Sequence, residues 1–146
     1  MNYKKILIAV DSSEYSLNAA QKAMDLAHQI DAIVAAVCVV DASKALGNFD
    51  VGLLPGEALL ALTKEAEQTL DQVSKMYIGN DLTKFMPEGF PREEILHTAE
   101  KWEADLIVMG THGRTGLRHL LMGSVAEYVL HHSKVPLLIV PLRNTK

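Results

Sequence analysis

The sequence predicts an α/β fold in which helices cover both faces of an open, parallel, five-stranded sheet. Apolar runs without alternation occupy residues 6–10 and 33–40, as is typical of strands buried on both faces. Segments with helical spacing lie between the apolar runs, so strands alternate with crossover helices. Because the chain has the length of one domain, 146 residues, we expect a single domain over 1–146.

The first half of the chain contains two strands and two helices. The first strand, 6–10, stops at Asp11, and Ser12 and Ser13 then favour the start of a helix that continues to about residue 29. The second strand, 33–40, stops at Asp41. Residues 42–56 contain three glycines and a proline without a clear period, which predicts a surface loop. A helix with one apolar face is expected from Glu57 to about residue 79.

The second half continues the alternation. Residues 82–86 form the expected third strand, and their polarity favours the edge of the sheet. Residues 88–91 predict a turn, with Pro91 at the first position of the next helix. The fourth strand is expected at 105–109, a helix at 124–133 and the last strand at 135–142, from Val135 to Leu142.

Charge and composition exclude several classes of protein. The net charge of −4 argues against a general binder of nucleic acid or of anionic membranes. The single cysteine, Cys38, excludes an internal disulfide and lies within an apolar run, where we expect it to be a small buried hydrophobe. Neither a signal peptide nor an apolar run long enough for a bilayer is recognised, so we expect a cytoplasmic protein.

A glycine-rich segment follows the fourth strand. Gly110, Gly113 and Gly116 permit close approach of main-chain N–H groups to a ligand, and Gly123 leads into a helix whose N-terminus favours an anion. Residues 106–126 include two arginines and no acidic residue, which favours a phosphate. The alternative reading is that the glycines only form turns and that Ser124 caps its helix, in a capping box with Glu127 three residues on. The spacing alone leaves both readings open.

The spacing Gly110-x2-Gly113-x9-Gly123-Ser124 resembles the signature of the ATP-binding branch of the universal stress protein family. Segments 5–11, 37–41, 89–95 and 135–140 also resemble parts of that family, so the similarity spans nearly the whole chain. The resemblance implies a Rossmann-like sheet with strand order 3-2-1-4-5. It also implies that ATP lies between the ends of strands one and four.

The resemblance further implies the roles of individual residues. Asp11 and the Gly110 main chain would contact the ribose, and Val39 would pair its main chain with adenine. The remaining nucleotide-binding residues line the base pocket, assist as donors or hold the phosphates: Ala9, Val10, Met109, His112, Gly113, Arg114, Gly123, Ser124 and Val125. Mg²⁺ would accompany the triphosphate, since no dedicated cluster of carboxylate ligands is recognised. An aspartate after a strand is also commonly a helix N-cap, which is the alternative role of Asp11.

Three hypotheses of function follow. The first is a nucleotide-binding regulatory protein with at most slow hydrolysis, because no Gly-x4-Gly-Lys-Ser/Thr loop occurs and no lysine lies between Lys101 and Lys134. The second is a weak ATPase or a self-phosphorylating enzyme with Ser124 as acceptor. His112 and Asp11 are then the candidate bases, although neither is assigned as catalytic. The third is an interaction module that binds no nucleotide. The apolar last strand, together with the resemblance, implies a homodimer through 135–142.

Overall fold

The computed structural model describes residues 2–45, 52, 54–79, 82–111 and 122–142, and the structural statements below concern these residues. The elements, in chain order, are β1 (Lys5–Ala9), α1 (Glu14–Ile30), β2 (Ile33–Val37), β3 (Val40–Asp41), α2 (Pro55–Met76), β4 (Thr83–Phe85), β5 (Glu88–Gly89), α3 (Pro91–Trp102), β6 (Leu106–Gly110), α4 (Ser124–His132) and β7 (Leu137–Val140).

The main sheet has five parallel strands in the order β4-β2-β1-β6-β7. If only these five strands are numbered along the chain, leaving out β3 and β5, the order is 3-2-1-4-5. The expected α/β fold with a parallel five-stranded sheet is therefore confirmed. β4 lies at one edge, as its polar sequence predicted, and β7 lies at the other.

A small second sheet was not predicted. β3 and β5 pair in parallel, Val40 with Glu88 and Asp41 with Gly89. The prediction of one strand over 33–40 is therefore wrong at its end, because β2 stops at Val37 and the chain pairs again only from Val40. The predicted turn at 88–91 is also wrong at its start, since residues 88 and 89 have a neighbouring strand to pair with.

Other element boundaries differ by a few residues. α2 begins at Pro55 and ends at Met76, before the glycine that was expected to close it. The last strand covers Leu137–Val140 rather than 135–142, because the prolines at 136 and 141 cannot donate ladder hydrogen bonds. Pro91 occupies the start of α3 as predicted. Most of the predicted loop over 42–56 lies outside the described residues.

Both faces of the main sheet are covered. In β1, Ile6 and Ile8 belong to one apolar cluster, with α1 and α2, and Leu7 belongs to the other, with α3 and α4. All three side chains are fully buried. Burial of one such aliphatic side chain contributes about 1.5–3 kcal/mol, so the central strand is firmly held and its carboxyl end has a fixed position. Among the described residues, no helix is long and apolar enough to cross a membrane.

Candidate functional site

A cleft opens where two central strands separate. β1 and β6 pair from Ile6 with Leu106 to Ile8 with Val108, and no pairing is recorded beyond that point. A cavity of about 480 Å³ lies at the carboxyl ends of these strands. This volume is within the range of about 300–1,000 Å³ that is usual for small-molecule sites, and the position is where ligands bind in open α/β sheets.

One wall of the cavity is the main chain at Val39. The amides of the two flanking residues donate towards the chain after β4, Cys38 to the Phe85 carbonyl at 3.0 Å and Val40 to the Pro87 carbonyl at 2.8 Å. Because successive peptide groups of an extended chain point to opposite sides, the N–H and C=O of Val39 face the β1 side. They have no hydrogen-bond partner within the part of the chain that the structure describes. Val39 therefore presents one donor and one acceptor to the cleft.

The middle of the cavity floor is a tight turn after β1. Asp11 Oδ1 accepts hydrogen bonds from the Ser13 amide at 2.8 Å, from the Ser13 hydroxyl, and from the Ser16 hydroxyl at 2.8 Å. Ser13, not Asp11, is the N-cap of α1, and its hydroxyl accepts from the Ser16 amide. The alternative reading of Asp11 as an N-cap is therefore wrong, since its carboxylate instead fixes the turn that precedes the cap.

A similar turn follows β3. Asp41 Oδ1 accepts from the Ser43 amide at 3.0 Å and from the Ser43 hydroxyl at 2.6 Å. Both carboxylates line the cavity, Asp11 after β1 and Asp41 at the end of β3, two residues beyond Val39. Lys44, which follows the second turn, also lines it. The two aspartates that stop the predicted strands are thus both part of the cavity lining.

The opposite wall is the N-terminus of α4. Gly123 is the N-cap, with φ −71° and ψ 161°, and α4 has no side-chain cap hydrogen bond. The alternative reading, in which Ser124 caps the helix, is therefore wrong, because Ser124 is already its first helical residue. The amide of Gly123 donates to the Thr111 carbonyl at 2.6 Å. The next three amides, at Ser124, Val125 and Ala126, have no intrahelical acceptor, and all three residues line the cavity.

Gly110 makes a close contact with α1. A Cβ at this position would lie 2.9 Å from the Tyr15 carbonyl oxygen. The only glycines of positive φ among the described residues are Gly52 and Gly79, so Gly110 is not required for a left-handed conformation. The sequence predicted close approach to a ligand here, and the structure gives this glycine a second reason, the packing of β6 on the start of α1.

A third wall, from α2, was not predicted. Leu62, Glu65, Ala66 and Thr69 line the cavity from this helix. Glu65 Oε1 accepts a hydrogen bond from the Ser12 hydroxyl at 2.7 Å, which joins α2 to the turn after β1. The helical spacing of apolar residues had predicted that Leu62 and Ala66 lie on one face of this helix. No local pattern distinguished Glu65 from the solvated acidic residues of the same helix.

The pKa of Cys38 is affected by the burial and the negative charges at this cavity. Cys38 is 5% exposed and lines the wall between the two aspartate turns. Burial, together with the smaller effects of the negative charges on Asp11 and Glu65, raises the pKa of its thiol to about 12. The prediction of a small buried hydrophobe agrees with this burial. Within the described ranges, no group of three His, Cys, Asp or Glu side chains is placed to hold a metal ion.

The structure brings most of the predicted site residues together. Nine of the twelve line this one cavity: Ala9, Val10, Asp11, Val39, Met109, Gly110, Gly123, Ser124 and Val125. The other three, His112, Gly113 and Arg114, lie outside the described residues. The proposed contacts of each residue with a nucleotide remain predictions.

Comparison with known proteins agrees with this architecture. A sequence model of the universal stress protein family matches residues 2–141. Universal stress protein MJ0531 of Methanocaldococcus jannaschii is 44% identical over 145 residues, which span 94% of this chain and 82% of that protein. The solved structure of hypothetical protein MJ0577 superposes with a TM-score of 0.85 at 31% identity, covering 99% of this chain and 100% of that one.

A more distant structure shares the fold alone. It is a universal stress protein in complex with cAMP, with a TM-score of 0.66, 24% identity and coverage of 97% of this chain and 98% of that one. The family assignment depends on the closer matches. Because the family's sequence model covers most of the chain and a relative of 44% identity spans 94% of it, this chain belongs to the universal stress protein family.

Proposed function

We propose that the protein binds an adenine nucleotide, with ATP as its ligand, and acts as a nucleotide-dependent regulatory protein of the stress response. The main support is that two sets of main-chain groups with different chemistry face one cavity. Val39 offers a donor and an acceptor, as the edge of a purine requires, and the α4 N-terminus offers three amides and a positive dipole end, as a phosphate requires.

The order of the strands places a ribose between these two ends. β1 lies between β2 and β6 in the sheet, so Asp11, which follows β1, lies between Val39 and Gly110. A carboxylate accepts hydrogen bonds from ribose hydroxyls but repels phosphate. Along the cleft, Val39, Asp11 and the α4 N-terminus thus offer groups suited to the base, the ribose and the phosphates, in that order.

A solved structure of the same fold supports the proposal. A universal stress protein of this fold was solved with cAMP, so the fold can hold a nucleotide. At 24% identity the likeness concerns the fold, and the choice of ATP comes from the glycine signature of this chain. Mg²⁺ would be held mainly by the phosphate oxygens, because the described carboxylates do not converge as a ligand set.

Binding is favoured over efficient catalysis. Asp11 was one of two candidate bases, and its Oδ1 already accepts three hydrogen bonds within its own turn. That oxygen is committed to the fold of the loop. The other candidate, His112, lies outside the described residues.

The direct test is to denature freshly purified protein and identify any nucleotide released, and then to titrate the nucleotide-free protein with ATP, ADP, AMP, GTP and cAMP by calorimetry. We expect adenine nucleotides to bind and GTP to bind much more weakly. In a further titration with adenosine, Gly123→Val should weaken the binding of ATP more than the binding of adenosine, because the substitution disturbs the phosphate end of the cavity. The absence of heat with every nucleotide would favour an interaction module and overturn the proposal.

A weak ATPase or a self-phosphorylating enzyme is the second candidate. The observation that favours it is the exposed position of Ser124 at the α4 N-terminus, with its hydroxyl not used as a cap. Incubation with γ-labelled ATP separates the two. Label that is retained on wild type and lost in Ser124→Ala supports self-phosphorylation, and steady release of phosphate supports an ATPase. If neither label nor phosphate release is seen, the protein is a binder.

We also propose that the protein is a homodimer through its last strand. β7 is an edge strand of the main sheet, and Leu138 in it is 38% exposed. An apolar edge strand favours pairing with a second copy.

A further inference from the structure

Asp41 has one carboxylate oxygen that its own turn does not use. Oδ1 accepts both hydrogen bonds from Ser43, from the amide at 3.0 Å and from the hydroxyl at 2.6 Å. Within the part of the chain that the structure describes, Oδ2 accepts no hydrogen bond, and Lys44, which also lines the cavity, forms no ion pair with it. The Asp41 side chain is half-buried at the cavity wall, so a second acceptor is available there.

The direction of the chain sets which part of a base lies near Asp41. In one residue of an extended strand, the N–H and the C=O point to the same side, and the N–H comes first along the chain. In the proposed complex, the Val39 N–H donates to a ring nitrogen of adenine, and the Val39 C=O accepts from the 6-amino group. The 6-amino group therefore lies on the side of Val39 that leads to Asp41, two residues further along.

The 6-amino group has two hydrogens, and one of them remains after the contact with Val39. Because the two N–H bonds of a planar amino group diverge, the second hydrogen points along the strand, which is the direction of Asp41. Adenine presents the same amino group beside a ring nitrogen acceptor on either of the edges that would face Val39. A 6-oxo group, as in guanine, would instead direct lone pairs at the Val39 carbonyl and at the Asp41 carboxylate.

We propose that Asp41, held by Ser43, is a specificity-determining residue that accepts the second hydrogen of the 6-amino group and so selects adenine over 6-oxopurines. This inference rests on the proposed function, and it adds a side-chain determinant to the main-chain contact at Val39. A site built to pair with an amino group rejects an analogue that lacks it, since the desolvated acceptor is then left unpaired. The turn fixes the carboxylate in advance, which lowers the cost of ordering it on binding.

The test compares three ligands that differ around position 6 of the purine. AMP has the amino group, purine riboside 5′-monophosphate has only a hydrogen there, and IMP has an oxo group with a hydrogen on the adjacent ring nitrogen. Since all three carry the same ribose and phosphate, the ratios of their affinities isolate the base. The ligands are titrated by calorimetry into the nucleotide-free protein.

Four proteins are compared, namely wild type, Asp41→Asn, Ser43→Ala and Glu67→Gln. Asp41→Asn keeps an oxygen for the turn and replaces the other carboxylate oxygen by an NH₂ donor. Ser43→Ala removes the hydroxyl contact and keeps the carboxylate. Glu67 is exposed on α2 and does not line the cavity, so Glu67→Gln controls for the loss of one negative charge. Thermal unfolding verifies that each variant is folded.

We expect wild type to bind AMP at least about tenfold more tightly than purine riboside 5′-monophosphate, and IMP more weakly still. Asp41→Asn should lower the first ratio about fivefold, because the hydrogen bond to the charged oxygen is lost, and should lower the ratio of AMP to IMP further, because the new NH₂ group donates to the oxo group. Ser43→Ala should lower both ratios less, and Glu67→Gln should leave them unchanged.

Unchanged ratios in Asp41→Asn, or an equal change in Glu67→Gln, overturn the inference while nucleotide binding stands. Equal binding of AMP and IMP by wild type overturns it as well. If wild type binds none of the three ligands and no ATP, the proposed function itself fails, and the inference fails with it.

Discussion

Asp11 and Ser16 hold each other through two reciprocal hydrogen bonds. The Asp11 amide donates to Ser16 Oγ at 2.8 Å, and the Ser16 hydroxyl donates to Asp11 Oδ1 at 2.8 Å. Ser16 is 5% exposed and lies in the first turn of α1. The pair therefore fixes the carboxylate at the centre of the cleft to the helix that follows it.

Ser16→Ala should destabilise the protein by about 1–3 kcal/mol, because it leaves a partly buried amide and a carboxylate oxygen without this partner. Urea unfolding followed by circular dichroism measures the change. Ser43→Ala is the matched control, since Ser43 makes the same kind of contact with Asp41 but is exposed. An effect of Ser16→Ala no larger than that of the control would contradict this account.

Gly110→Ala should destabilise the protein by about 1–3 kcal/mol, because the added methyl group would meet the Tyr15 main chain, which cannot move aside cheaply. The measurement is the free energy of unfolding in urea. Gly56→Ala provides the control. A Cβ at Gly56 meets no atom within 4 Å, and the residue lies in α2, so alanine there should stabilise by about 0.4–1 kcal/mol. Equal effects at the two glycines would refute the role of the contact.

The Cys38 thiol should make stability depend on alkaline pH. Its pKa is raised from 9.0 to about 12 in the folded protein, so above pH 9 the unfolded chain loses the thiol proton while the folded chain keeps it. The stability contributed by the neutral buried thiol is therefore full below pH 9 and declines as pH rises towards about 12. The stability advantage of wild type over Cys38→Ala should shrink across that window. A constant difference would show that the thiol titrates normally.

Leu138→Lys should weaken the proposed dimer, because it places a charge on the exposed edge of the sheet. Sedimentation velocity at several protein concentrations measures the association. Leu60→Lys is the control, since Leu60 is 70% exposed on α2, away from β7. A dimer that persists unchanged in Leu138→Lys would place the interface elsewhere, and a monomeric wild type would reject the proposal.

The strands and helices were largely predictable because their signals are local. Continuous apolar runs located β1 and β6, and Pro91 located the start of α3. The end of β2 was not predictable, since the interruption at residues 38 and 39 depends on where β4 and β5 pass beside it. The strand order came from the family resemblance, because no local pattern encodes which strands are neighbours.

The site residues that follow strand ends could be predicted from the sequence. The site residues that depend on tertiary packing could not. Asp11 and Gly110 could be placed because they come directly after β1 and at the end of β6. Glu65 could not, since only the tertiary contact with Ser12 distinguishes it from the other acidic residues of α2. Ser124 and Glu127 satisfy the capping-box spacing, but the backbone is still extended at Gly123, and that angle decides which residue is the cap.

The gap between the two sheets, at residues 38 and 39, has a consequence for backbone order when a ligand binds. After Val37 the second strand keeps a bonded neighbour on one flank, while on the other flank Val39 lacks one within the described structure. In the proposed complex, the adenine ring would hydrogen-bond to the Val39 main chain where a residue of a neighbouring strand would otherwise pair. Amide hydrogen exchange should therefore slow most sharply at Val39 when the protein is saturated with the nucleotide. The effect of the ligand would be an increase in backbone order at the carboxyl end of β2.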